Sequence, residues 1–91
     1  MGIKQKHCLI SGRVQGVSYR YSAQQQAHKL GVTGWVRNLA DGQVELLIQG
    51  ETQQLEDMLN WANQGPRFAE VNSIEVTEQS ADLTFIDFEI R

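Results

Sequence analysis

Residues 11–20 read Ser11-Gly12-Arg13-Val14-Gln15-Gly16-Val17-Ser18-Tyr19-Arg20, and they join an apolar run, Cys8-Leu9-Ile10, to a segment of helical periodicity. Glycines at 12 and 16 let the backbone turn tightly and bring its N–H groups close to a ligand. Val14 and Val17 are placed to anchor the bend to the body of the protein. Consecutive N–H groups on such a curve form a concave nest for an anion. The helix that follows adds its own unpaired N–H groups and the positive end of its dipole. Arg20 stands at that entrance, and a guanidinium grips a phosphate through two parallel hydrogen bonds. The stretch Val14, Gln15, Gly16, Val17, Ser18, Tyr19 and Arg20 is therefore read as a phosphate cradle with one fixed positive charge.

Ahead of the cradle, the spacing predicts a first strand over 7–13, with Cys8 and Ile10 on one face, and a frayed polar lead at 1–6. Behind it, Tyr19, Ala23, Ala27 and Leu30 recur at helical spacing up to Gly31, a stop signal. The alanines suit a helix lying close against a sheet. Gly34 to Asn38 reads as a short strand, and Ala40-Asp41-Gly42 supplies hairpin turn chemistry. Val44, Leu46 and Ile48 make one face of a half-buried strand that Gly50 ends. Thr52 is the expected cap of a second helix, with Leu55, Met58, Leu59 and Ala62 as its apolar stripe and Gly65-Pro66 as its end. Val71, Ile74 and Val76 form a strand whose apolar phase slips once, which predicts a bulge near Asn72-Ser73. A turn over 79–82 leads to a last strand in which Ile86, Phe88 and Ile90 alternate.

Strand, helix, strand, strand, helix, strand, strand is the order of an α+β protein with both helices on one face of the sheet. The expected fold is a ferredoxin-like α/β sandwich, a βαββαβ core with an additional edge strand. In that topology the first two strands run parallel with the third between them, two strand spacings or roughly 10 Å apart. Their carboxyl ends then emerge on one edge, so Asn38 faces the loop after the first strand. Arg20 and Asn38 are expected in one site.

Ninety-one residues suit a single domain, 1–91, with one packed core. The formal net charge of −3 argues against a general nucleic-acid or membrane-surface binder, so an anion site must be local. Cys8 is the one cysteine, which excludes an internal disulfide, and in an apolar run it reads as a small core residue. No signal peptide or long apolar run is visible, which makes the cytosol the expected compartment. Arg13 and Arg37 read as structural or rim charges, and Trp35 and Trp61 as packing residues. His7 and His28 have no partners by spacing.

A phosphate held by Arg20 and backbone amides presents its phosphorus to whatever Asn38 holds opposite. A carboxamide both donates to and accepts from a water, which fixes the angle of attack. No general base and no metal-ligand cluster is evident, and no cofactor is expected. That restricts the substrate. An alkoxide leaving group needs an acid or a metal, whereas a carboxylate, with a conjugate-acid pKa of about 4 to 5, leaves unaided.

Gly12-Arg13-Val14-Gln15-Gly16-Val17 with Arg20 three residues on, and Gly34-Trp35-Val36-Arg37-Asn38 followed by Asp41-Gly42, Val44-Glu45 and Gln49-Gly50, closely resemble the two signatures of the acylphosphatase family. Gly65-Pro66, Ala69, Val71 and the run from Phe85 to Ile90 extend the resemblance over nearly the whole chain. It implies metal-independent hydrolysis of small-molecule acyl phosphates such as acetyl phosphate, carbamoyl phosphate or bisphosphoglycerate. Inorganic phosphate, the product whose oxygens the cradle recognises, is expected to inhibit, and the protein is expected to be a monomer. Arg20 matches the family's phosphate-binding arginine and Asn38 its water-positioning asparagine. Tyr19 stands where phenylalanine is commoner, a departure that touches packing at the rim of the site. Two other classes use similar parts. A noncatalytic acyl-phosphate or anion-binding module would show a replaced catalytic position or a fused second domain. A ferredoxin-like RNA-binding domain would need exposed aromatics on central strands and a basic sheet face, against the acidic balance here.

Overall fold

The first strand feeds directly into the cradle and the first helix, and the rest of the chain closes around that unit. The computed structural model describes residues 2–81 and 84–91. In chain order the elements are β1 (Lys4–Arg13), α1 (Tyr19–Leu30), β2 (Thr33–Asn38), β3 (Val44–Gly50), α2 (Thr52–Gln64), β4 (Glu70–Gln79) and β5 (Phe88–Ile90). They build one sheet of order β4-β1-β3-β2-β5. Strand β3 is antiparallel to both β1 and β2, so those two run parallel, and β5 joins the outer edge of β2 in parallel. This is the expected ferredoxin-like βαββαβ core with an added edge strand.

Strand periodicity decides which face carries the helices. Cys8, Leu46 and Val36 are cross-strand neighbours, as are Ile10, Val44 and Asn38, and neighbours across a ladder share a face. The apolar members of both rows are fully buried, together with Ala23 and Ala27 of α1 and Leu55, Met58 and Ala62 of α2. Alanines without bulk let α1 sit close on the sheet. Asn38 is thus the polar end of an otherwise apolar row on the helix face, which is why it borders α1.

The predicted bulge is present. Ser11 pairs with Ser73 but Gly12 with Val71, so Asn72 is the extra residue. Gly12 makes that close approach possible: at φ 130°, a Cβ there would lie 2.1 Å from the Glu70 carbonyl oxygen.

Four expectations change. Residues 4–6 are not frayed but belong to β1, because β3 and β4 hold it from both sides; Lys4 pairs with Gly50 and Gln5 with Gln79. By the same pairing Gly50 lies within β3, not beyond it. The cap of α2 is Glu51, not Thr52, through a reciprocal box in which the Glu51 N–H donates to Gln54 Oε1 at 2.8 Å. Ile86 is 93% exposed and outside the last strand, because pairing to β2 starts only where the Gly34 N–H meets the Asp87 carbonyl. Of the turn expected over 79–82, Gln79 belongs to β4 and Asp82 lies outside the described residues.

Both histidines have partners that spacing alone did not reveal, His7 on the face of the sheet opposite the helices and His28 on α1. His7 Nε2 lies 2.6 Å from Glu45 Oε2, the Arg37 guanidinium bonds the other Glu45 oxygen, and His28 Nε2 is 3.1 Å from Asp87 Oδ1. The guanidiniums of Arg37 and Arg91 sit 5.3 and 5.2 Å from the Trp35 ring. Burial alone would raise the Glu45 carboxyl, but hydrogen bonds from His7 and Arg37 outweigh it and hold it below its usual range. A depressed carboxyl contributes stability in full above its unfolded value, near about 4.3, and loses it as pH falls through the lower folded value. Glu45→Gln is therefore expected to flatten the acid limb of the stability curve below about pH 4. Urea titrations from pH 2.5 to 7 check this, and parallel curves for the two proteins would refute it.

Candidate active site

Val14 is buried and Val17 is packed against the core, so the chain between β1 and α1 is pinned at both anchors that the sequence suggested. Between and beyond them the backbone turns left-handed twice. Gly16 has φ 74°, and Ser18, the N-cap of α1, has φ 66° and ψ 25°. A serine in that region costs roughly 1 kcal/mol or more, and such strain gathers where a site is being shaped. No side chain caps α1, and its first turn holds no acidic residue. Its leading N–H groups thus remain open beside a curved loop, the arrangement that binds anions.

The loop is also tied across to the β2–β3 hairpin. Gln15 Nε2 donates to the carbonyls of Leu39 at 2.8 Å and Gln43 at 2.9 Å, and Gln43 Nε2 donates to Ser11 Oγ at 2.8 Å. The Gln15 side chain is therefore a clamp between the cradle and the segment that follows Asn38. Tyr19 is buried in the core and also borders the cleft. Its hydroxyl donates to the Ala62 carbonyl at 2.7 Å, its ring lies 5.2 Å from that of Trp61, and burial pushes its hydroxyl pKa well up. The tyrosine pins the start of α1 to the end of α2.

Arg20 and Asn38 line one cleft of about 370 Å³, together with Val14, Gly16 and Ser18 of the loop. Among the described residues Arg20 is the one arginine with neither an ion pair nor a ring contact; Arg13 pairs with Glu70, and Arg91 with Glu89. Asn38 Oδ1 is buried without a hydrogen-bond partner among the described residues. An unpaired buried acceptor costs about 1–3 kcal/mol, and such groups in native folds call for an explanation in function. Two further lining residues, Tyr21 and Ile90, escaped the sequence reading. Tyr21 lies just past the motif, and Ile90 reads as one more strand residue.

Other reactive groups lie elsewhere. Burial pushes the Cys8 thiol up to about 12, so it stays a thiol at neutral pH. Among the described residues no group of three His, Cys, Asp or Glu side chains is arranged to hold a metal ion. None of the helices described is long and apolar enough to cross a membrane.

Comparison with known proteins places this geometry in a family. The family model described as Acylphosphatase matches residues 6–90. An acylphosphatase of Marinobacter nauticus is 48% identical over 88 residues, spanning 97% of this chain and 96% of the relative. One of Alcanivorax borkumensis is 53% identical over 77 residues, 85% of this chain and 84% of its own. The crystal structure of acylphosphatase from Bacillus subtilis superposes with a TM-score of 0.93 at 36% identity, covering 97% of this chain and 98% of that one. With cradle, cleft and fold in agreement, the chain belongs to the acylphosphatase family.

Proposed function

We infer that the protein hydrolyses the carboxyl–phosphate anhydride of acyl phosphates, releasing a carboxylate and inorganic phosphate. The observation that carries this reading is Arg20, a cation left without an ion pair among the described residues at the uncapped, positive end of α1. Such a placement is electrostatically unfavourable until an anion joins it. The phosphoryl oxygens lie against the N–H groups of the 14–20 loop, with the Arg20 guanidinium as a two-pronged clamp. Asn38 holds the attacking water in line with the scissile bond. The water oxygen bonds to phosphorus as the bond from phosphorus to the acyl oxygen breaks. That electron pair leaves as carboxylate, and the water's proton ends on the phosphate. A carboxylate with a conjugate-acid pKa of about 4 to 5 needs neither a metal nor a general acid to depart. The protein acts on this reading as a single-domain monomer in the cytosol.

Steady-state hydrolysis of acetyl, carbamoyl and benzoyl phosphate, with a phosphomonoester as control, tests the reading. Acyl phosphates are expected to turn over, the phosphomonoester not. A strong chelator should leave the rate unchanged, and inorganic phosphate should inhibit competitively. Loss of activity with the chelator, restored by magnesium, would overturn the mechanism; tight phosphate binding without turnover would make the protein a binding module.

A further inference from the structure

One stripe of α1 faces the edge strand. Gln24 Nε2 donates to the Phe88 carbonyl at 3.1 Å, and His28 Nε2 lies 3.1 Å from Asp87 Oδ1. Tyr21, Gln24 and His28 follow the i, i+3, i+7 spacing of a single helical face. As the helix runs back toward its start, its contacts move from Asp87 to Phe88, which sets Tyr21 over the end of β5 at Ile90. In the parallel register Val36 pairs with Ile90, so Ile90 shares the helix face with Val36 and Asn38. Tyr21 and Ile90 both line the cleft and are 60% and 40% exposed.

A cleft of about 370 Å³ is within the range of small-ligand pockets and far exceeds the needs of one phosphate. Arg20, Asn38 and the loop supply its polar lining, while Tyr21 and Ile90 are the large side chains exposed along it. Arg20 is the one cation among the described lining residues, and the transferred phosphate occupies it. Arg91, next to Ile90, lies instead against Trp35 and Glu89, on the opposite face. A second negative charge on the substrate therefore meets no partner. Resting on the acyl-phosphate reading above, we propose that Tyr21 and Ile90 form the wall that receives the acyl group, selecting acyl phosphates whose acyl part is uncharged and apolar.

The test compares kcat/KM for benzoyl, acetyl and 3-phosphoglyceroyl phosphate in the wild type, Tyr21→Phe, Tyr21→Ser and Ile90→Ala. Both positions are solvent-exposed enough for the variants to fold. The benzoyl-to-acetyl ratio is the informative quantity, because intrinsic leaving-group reactivity cancels when ratios are compared between variants. Apolar contacts in enclosed pockets discriminate by about 10–200-fold, and an open cleft belongs at the lower end. Tyr21→Ser and Ile90→Ala are expected to lower the ratio roughly five- to tenfold, while Tyr21→Phe keeps it. The phosphoglyceroyl substrate is expected to have the lowest wild-type kcat/KM of the three, and any other rank overturns the charge selection. Ratios within twofold of each other in all four proteins overturn the wall assignment while leaving the acyl-phosphate reading intact. A wild type that hydrolyses neither acetyl nor benzoyl phosphate defeats that reading itself.

Discussion

Arg20→Ala is expected to abolish turnover and phosphate inhibition together, in a protein that is no less stable than the wild type. The stability half follows from position. Arg20 is exposed, lacks an ion pair among the described residues, and occupies the first turn of a helix whose dipole repels cations. Removing a cation there is worth about 0.3–1 kcal/mol in favour of the helix. The activity half follows from the proposed role. Removing one preorganised donor to a developing oxyanion costs about 3–4 kcal/mol, or 10²–10³ in kcat, and a charged two-pronged donor stands at the upper end. Arg20→Lys is expected to stay severely impaired, because an ammonium supplies charge without the planar fork. Kinetics with phosphate inhibition, beside thermal melts, give both answers. Near-normal kcat/KM in the lysine variant would reduce the role of Arg20 to charge alone. A marked loss of stability in the alanine variant would mean that Arg20 serves the fold.

The parts of this molecule that rest on local periodicity were legible in its sequence. Alternation in Val44, Leu46 and Ile48, helical spacing in Tyr19, Ala23 and Ala27, and the phase slip at Asn72-Ser73 each report which face meets the core. A two-fold or 3.6-fold period can be read without knowing the partner. What escaped depends on the partner. His7 finds Glu45 only because the β1–β3 register brings residues 38 positions apart within 2.6 Å. Gln15, read as part of the cradle, has its side chain committed to the hairpin carbonyls, and no spacing rule announces that clamp. Ile86 fits the apolar alternation of a strand yet lies in water, because alternation does not say where pairing begins. Tyr21 and Ile90 come to line one cleft only once α1 is laid along β5.

The Asn38 substitutions are expected to separate catalysis from binding, which makes them the sharper test of the proposed mechanism. Arg20 and the loop amides hold the phosphate; Asn38 holds the water. Its Oδ1 is buried without a partner among the described residues, so Asn38→Ala removes an unsatisfied acceptor, and the fold is expected to tolerate the change. Without the carboxamide the water loses its fixed approach, and misalignment of this kind changes rates by about 10²-fold. The expected result is a fall in kcat of at least that size, with the inhibition constant for phosphate nearly unchanged. Asn38→Asp has almost the same shape but fares no better. A carboxylate at the edge of the core is costly to ionise, and once ionised it repels the phosphate. Measuring kcat beside phosphate inhibition for both variants, with circular dichroism to confirm folding, decides the matter. A folded alanine variant with normal kcat would remove Asn38 from the mechanism. Proportional loss of kcat and phosphate affinity would make Asn38 a ligand of the phosphate, and the water would then need another holder in the cleft.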